Sequence, residues 1–216
     1  MKYNIILFDL DGTLTDPFEG ITKCVQYALR SFGINEPNLN NLRHFIGPPL
    51  KEEFVKTYNL TPEQGEEALR KYRERFSVKG LFENKLYPGI NVLLSELKRS
   101  GARLAIASSK PQLYVHKILV HFGINNYFEY IIGSEMDGRR TDKTEVIAHT
   151  LKKLRPLPCD NIVMIGDRVH DAIGAEALNI DFVAAGYGFS EPNEFDSHPC
   201  VALVNSVSEL HDFLLK

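Results

Sequence analysis

The sequence predicts an α/β fold, a parallel sheet covered on both faces by helices and interrupted early by a helical insert. Three observations lead there. Short apolar segments, NIILF (4–8), LAIASS (104–109), YIIG (130–133) and IVMIGD (162–167), alternate with helical patterns from residue 88 onward. Such βα alternation, with strands apolar on both faces, marks a sheet buried from both sides. The stretch from the first strand to the second is mostly helical and, at roughly seventy residues, far too long for an ordinary connection. Finally, polar residues suited to chemistry recur at the C-terminal ends of successive strands, where ligands of open α/β sheets collect.

Each element has its own signal. NIILF is β-branched, aromatic and short, so it reads as a buried strand. Pro17 marks a bend, after which Ile21, Cys24, Val25, Ala28, Leu29 and Phe32 share one helical face and Gly33 supplies a stop. LKEEFVKTYNL (50–60) reads as a short helix. Thr61, Pro62 and Gln64 form a helix-start signature for a segment running to about Arg75 or Ser77. No convincing strand is expected from 17 to 85. Pro88-Gly89 opens a helix over 90–100, and Pro111 to Phe122 is a helix ended by Gly123. A helix over 143–151, another over 170–178, strands at 181–185 and 201–204, and a helix from Val207 complete the pattern. The expected architecture is a Rossmann-like, three-layer core over residues 1–16 and 86–216, with a helical subdomain over 17–85.

Bulk composition narrows the function. The chain has 216 residues, 44% hydrophobic and 25% charged, and 25 basic against 28 acidic side chains give a net charge of -3. No basic stripe points to nucleic acid; Lys71, Arg73 and Arg75 read as a solvated helix face. Cys24, Cys159 and Cys200 form neither a disulfide framework nor a metal pair, which suits a reducing, cytoplasmic setting. No segment reaches the roughly 20 apolar residues of a membrane span. A monomer or small homo-oligomer without membrane or nucleic-acid partners is expected.

The stretch LFDLDGTLTD (7–16) puts Asp9 and Asp11 directly behind the first strand. Ser108 and Ser109 follow the second, Lys143 opens the helix after the third, and Asp167 ends the fourth, with Asp171 one turn beyond. Any one of these has an ordinary role as a cap, turn former or surface charge. Parallel strands, however, deliver the whole set to one crevice. Several carboxylates gathered there need a cation, and oxygen ligands without His or Cys suit Mg²⁺. Magnesium in turn favours a phosphate oxygen, whose neighbours Lys143 and the Ser108 hydroxyl can hold, with backbone N–H groups after Asp9 adding more. A carboxylate against the phosphorus can attack it, and a second acid two residues on can protonate the leaving oxygen and later activate water. Asp9 and Asp11 fit those tasks, and Gly12 lets the chain turn sharply between them.

Asp9-Leu10-Asp11-Gly12-Thr13-Leu14, Ser108-Ser109-Lys110-Pro111, Lys143 and Gly166-Asp167-Arg168-Val169-His170-Asp171 together resemble the four motifs of the haloacid dehalogenase-like hydrolase superfamily, in its phosphoglycolate phosphatase-like branch. The likeness extends over residues 5 to 190. It implies a small phosphorylated metabolite as substrate and Mg²⁺ as cofactor. Asp9 is then nucleophile and metal ligand; Asp11 is general acid/base and binds metal through its carbonyl. Asp167 is a direct ligand, and Asp171 supports the metal directly or through water. Ser108 and Lys143 complete the catalytic set, Gly12, Thr13 and Ser109 cradle phosphate, and the insert becomes a cap.

An acid at position 11 implies phosphoryl transfer and not dehalogenation. Thr144 stands where a Pro usually follows the third-motif lysine, so Arg139 and Arg140 are rivals, but a rigid helix start favours Lys143. In the insert, the loop 45–50 (FIGPPL) is flanked by Arg43 and Lys51, candidates for an anionic substrate tail. Phosphoglycolate is the first substrate considered. Nucleoside monophosphates, sugar phosphates and pyrophosphate remain open, as do a phosphomutase and a silent phosphate- and metal-binding module. His170 and the loop Gly186–Phe189 border the expected site.

Overall fold

In a computed structural model that describes residues 2–216, the chain forms two compact units, Met1–Thr15 with Leu86–Lys216, and Asp16–Lys85. In the first unit, β1 (Ile5–Phe8) lies at the centre of a six-stranded sheet. β2 (Thr15–Asp16) leads into the second unit. There α1 (Phe18–Arg30), α2 (Leu50–Tyr58) and α3 (Pro62–Arg75) precede β3 (Lys85–Leu86), which pairs with β2. The chain then runs through α4 (Ile90–Arg99), β4 (Arg103–Pro111), α5 (Gln112–His121), β5 (Tyr130–Ser134) and α6 (Lys143–Leu154). β6 (Ile162–Gly166), α7 (Val169–Ala177), β7 (Asp181–Ala185), β8 (Ala202–Val204) and α8 (Val207–Leu215) follow.

The sheet has the order β5-β4-β1-β6-β7-β8, and every pairing in it is parallel. Ile5 and Leu7 point to one face, where they join Ala105, Ala107, Met164, Phe182 and Ala184 beneath Val146, Ile147 and Leu154 of α6 and Ala172 and Ala175 of α7. Ile6, Phe8, Leu104 and Ile106 alternate with these on the opposite face and are equally buried. Both faces are therefore dry, and each fully buried Ile or Leu contributes roughly 1.5–3 kcal/mol. Register is what positions the site. Phe8 lies level with Ile106 on one side and Ile165 on the other, so Asp9, Ser108 and Asp167 all follow within two residues of the same level.

The second unit is a small helical assembly. Thr61 and Gln64 form the expected reciprocal cap, with Thr61 Oγ1 accepting the Gln64 N–H at 3.2 Å and Gln64 Oε1 accepting the Thr61 N–H at 2.9 Å. Rings of Phe45 and Phe54 meet at 4.9 Å, and Tyr72 stacks on Phe76 at 5.1 Å. Several local expectations are corrected. α1 begins at Phe18, because the Asp16 carboxylate accepts the Phe18 N–H. A 3₁₀ helix over Leu39–Phe45 and a π-helical turn over Phe76–Gly80 had no periodic signal. Arg75 does not belong to a solvated face; it turns inward to bind Glu83 at 2.6 and 2.9 Å and Cys24 Sγ at 3.2 Å. Among the described residues no helix is long and apolar enough to cross a membrane.

Candidate active site

The strand tips of the first unit converge on a cluster of acids and two lysines. Asp9 follows β1 directly and extends its pairing by one residue, its N–H donating to Ile165 O at 2.9 Å. Lys143, at the first position of α6, reaches across: its Nζ donates to Asp9 Oδ1 at 2.8 Å and to Ala107 O at 3.0 Å, and pairs with Asp171 Oδ1 at 2.7 Å. The platform is rigid because Asp142 caps α6 by accepting the Glu145 N–H at 3.1 Å. Neither rival cation lies in this cluster. Arg139 binds Asp137, while Arg140 binds Glu135 and Gly133 O.

Asp167 is 1% exposed, and its Oδ2 accepts the Phe189 N–H at 2.8 Å. Gly12 makes that placement possible. Its φ of +83° is open to glycine, and a Cβ there would meet Asp167 Oδ2 at 1.9 Å. Asp171 Oδ2 accepts the Arg168 N–H at 3.1 Å. Glu194 secures this corner by accepting from Arg168 Nε and the Val169 N–H, at 2.9 and 2.7 Å. Ser108 is buried at the tip of β4, Ser109 is half-buried beside it, and Thr13 is buried in the turn after Gly12. The loop Gly186–Phe189 lies against that turn, with Tyr187 Oη donating to Thr13 O at 2.9 Å.

Arg43 and Lys51 are both in the second unit. Lys51 forms an exposed pair with Glu66 at 2.5 Å, and Arg43 sits within the 3₁₀ helix Leu39–Phe45.

Two contacts had not been anticipated. Lys110 Nζ forms a short ion pair with Asp11 Oδ2, and the Phe189 amide holds Asp167. The first had a usable signal, a lysine between the strand-tip serines and Pro111. The second is a backbone donor and leaves no trace in residue type.

The cluster suits a divalent cation on its own terms. Ligand oxygens of Asp9, Asp167 and Asp171 lie within 4.8 Å of one another. Buried Asp11 Oδ1 and Asp167 Oδ1 have no hydrogen-bond partner among the described residues, and buried acceptors are seldom left so. Four carboxylates against two ammonium groups leave two negative charges uncompensated. An all-oxygen donor set with that deficit fits Mg²⁺.

The electrostatics agree. Burial pushes Asp167 well above the ordinary carboxylate range, with Asp9 and Asp171 adding to it. Asp11 is raised by burial, with Lys110 opposing. Asp171 is pushed up to about 6, burial outweighing Lys143. Burial works against the Lys143 ammonium, but Asp171 and Asp9 outweigh it and keep its pKa above the usual lysine value. Folded protein thus keeps protons on acids that the unfolded chain has already released, so the contribution of these site acids to metal-free stability falls as pH rises from about 4 to about 7. Mg²⁺ favours the ionised acids, and its stabilisation is expected to be larger at about pH 7.5 than at about pH 5. Thermal melts with and without MgCl₂ check this; an increment indifferent to pH would count against these acids as the binding site.

A parallel sheet that delivers an acid cluster with a buried lysine to its C-terminal rim suits metal-assisted phosphoryl transfer. The family described as haloacid dehalogenase-like hydrolase matches residues 6–185, and the chain belongs to it. The chain is an enzyme of that family's phosphatase type, a phosphoric monoester hydrolase. It is 47% identical over 198 residues to a 5′-nucleotidase of Pseudomonas aeruginosa, covering 92% of this chain and 89% of that protein. Its fold matches the crystal structure of a predicted phosphatase from Clostridium acetobutylicum with a TM-score of 0.92 and 45% identity, over 100% and 99% of the two chains. The tyrosine-protein kinase PtkA of Mycobacterium tuberculosis is 41% identical over 97% of this chain and 72% of its own length. A phosphoglycolate phosphatase of Colwellia psychrerythraea stands at 28%, over 90% and 89%.

Proposed function

We propose that the chain is a Mg²⁺-dependent phosphatase acting on nucleoside 5′-monophosphates through an aspartyl-phosphate. The observation that carries the substrate class is the 47% identity to the P. aeruginosa 5′-nucleotidase over nearly the whole of both chains. Phosphoglycolate, the first substrate considered from the sequence, ranks behind it because the relative so named is much more distant.

The chemistry follows from the site. Lys143 fixes Asp9 by one oxygen, leaving the other to attack the phosphorus. As that bond forms, the ester P–O bond breaks and Asp11 gives its proton to the departing alkoxide. Asp11, now a carboxylate, takes a proton from water as the water attacks the phosphorus. The aspartyl–phosphate bond breaks, Asp9 is restored, and inorganic phosphate leaves. Ser108, Lys143 and the backbone N–H groups around Gly12 and Thr13 bind the non-bridging oxygens. Asp9, Asp167, the Asp11 carbonyl and Asp171 would hold Mg²⁺, which supplies charge stabilisation for the transferring phosphoryl group when bound. Arg43 and Lys51 remain candidates for reading an anionic part of the substrate. The three free cysteines, two of them exposed, suit a reducing cytoplasmic setting.

A second reading has a specific relative behind it. PtkA, at 41% identity, carries the name of a tyrosine kinase; transfer from Asp9 to a tyrosine hydroxyl instead of water would use the same first half-reaction. A phosphate-release screen with nucleoside monophosphates, phosphoglycolate, sugar phosphates, pyrophosphate and p-nitrophenyl phosphate tests the assignment, with and without MgCl₂. Nucleoside monophosphates are expected to give the highest kcat/KM, at least tenfold (about 1.4 kcal/mol) above phosphoglycolate. Equal or better turnover of phosphoglycolate would overturn the substrate class. Failure to release phosphate from any ester would overturn the hydrolytic reading.

A further inference from the structure

We propose that Lys110 is a positioning residue for Asp11: it anchors one carboxylate oxygen so that the other faces the leaving group. The inference rests on the reading of Asp11 as the proton shuttle and extends it to Lys110, a residue of the second motif to which no role has been given. Lys110 Nζ pairs with Asp11 Oδ2 across a sequence distance of 99 residues, and the two side chains are only 9% and 14% exposed. The other oxygen, Oδ1, is buried without a hydrogen-bond partner among the described residues. A carboxylate held at one oxygen has lost its freedom to swivel, and its second oxygen has a fixed direction. That is what a group donating a proton to a departing alkoxide requires.

The backbone under Lys110 is held as firmly as the side chain. β4 and β5 run in register through Ala107 and Ile132, slip, and resume at Pro111 and Ser134. Within the slip, the Lys110 N–H donates to Ser108 Oγ at 3.4 Å. Lys110 O packs so closely on Gly133 that a Cβ there would sit 2.5 Å from it. Pro111 then fixes the turn into α5. The irregularity thus lets one strand tip supply both a hydroxyl, Ser108, and a cation, Lys110. The two lysines divide the acids: Lys143 serves Asp9 and Asp171, and Lys110 serves Asp11. Stability alone is a poor reason for such a pair, since buried ion pairs rarely outdo apolar packing.

Leaving-group dependence separates this role from a structural or phosphate-binding one. p-Nitrophenolate departs without much help from an acid, whereas p-methoxyphenolate needs its proton. With kcat/KM measured for both esters on parent, K110M, K110R and D11N, K110M is expected to lose on the order of 10²-fold with p-methoxyphenyl phosphate, the scale of a misplaced catalytic group. Its loss with p-nitrophenyl phosphate should be several-fold at most. K110R should recover most of the difference, and D11N should show the steepest dependence. A K110M loss equal for both esters would overturn the proposal, assigning Lys110 to the phosphate or to the fold. If D11N itself showed no leaving-group dependence, the shuttle role of Asp11 would fail and this inference with it. Should K110M not fold, K110Q against K110R makes the same comparison, and equal slopes for those two variants would likewise overturn it.

Discussion

Asp9→Asn is expected to lower phosphate release by on the order of 10⁵–10⁶-fold, the scale on which removal of a covalent nucleophile registers. The amide oxygen can still accept the Lys143 hydrogen bond that Asp9 Oδ1 accepts at 2.8 Å, so the site keeps its frame. Electrostatics then separate activity from folding. The Asp9 charge raises the pKa of Asp167, second only to burial, and adds to the burial effect at Asp171 and Asp11. Deleting it relieves repulsion among buried acids, so the metal-free variant should melt at the same temperature as the parent or higher. Its stabilisation by MgCl₂ should shrink, because one carboxylate of the set has become neutral. Acid-quenched reactions with ³²P-labelled ester provide the direct chemical readout: label retained on the parent chain, none on the variant. Turnover close to the parent would remove Asp9 from the nucleophile's place, and loss of activity together with collapse of the melt would make its role structural.

Much of this was legible before any coordinates. IILF (5–8), LAIA (104–107) and IVMIG (162–166) carry no polar side chain, a pattern of strands buried on both faces, and parallel strands must bring the polar residues that follow them, Asp9, Ser108 and Asp167, to one rim. Residue type and strand position thus sufficed to expect those three residues together. They marked Lys110 only as a lysine beside the strand-tip serines; its direction depends on a register slip between Ala107 and Pro111 that no pattern announces. Nor did they reveal the Phe189 amide on Asp167, because every residue but proline carries that donor. Arg75 looked solvent-facing by helical spacing, yet Glu83, eight positions on, draws it inward. The two-residue strands Thr15–Asp16 and Lys85–Leu86 are simply too short for a period of two to register. What escaped the sequence is what long-range geometry decides; what it disclosed is what burial and strand direction decide.

Lys143→Met should damage both stability and activity, for a single electrostatic reason. The lysine side chain is 5% exposed and neutralises Asp9 and Asp171 at once, so its removal leaves two buried carboxylates without their cation. Breaking a buried pair costs about 3–5 kcal/mol, which for a chain of this size lowers the melting temperature by about 10 °C. The deficit should depend on pH in a definite direction. Asp171 is already held above the unfolded carboxylate value by burial against the pull of Lys143, and without the lysine it rises further. The folded variant therefore binds more protons than the unfolded chain over a wider range. Its stability falls more steeply than the parent's as pH climbs from about 4, and the two converge toward acid. The double variant K143M/D171N removes one of the stranded charges and is expected to regain part of the lost stability. It should regain none of the activity, since Asp9 still lacks the ammonium that fixes its oxygen. Melts of the three proteins between about pH 4.5 and about pH 8, read beside p-nitrophenyl phosphate turnover, decide the matter. A K143M protein as stable as its parent throughout that range would mean the two carboxylates are neutralised by something other than Lys143.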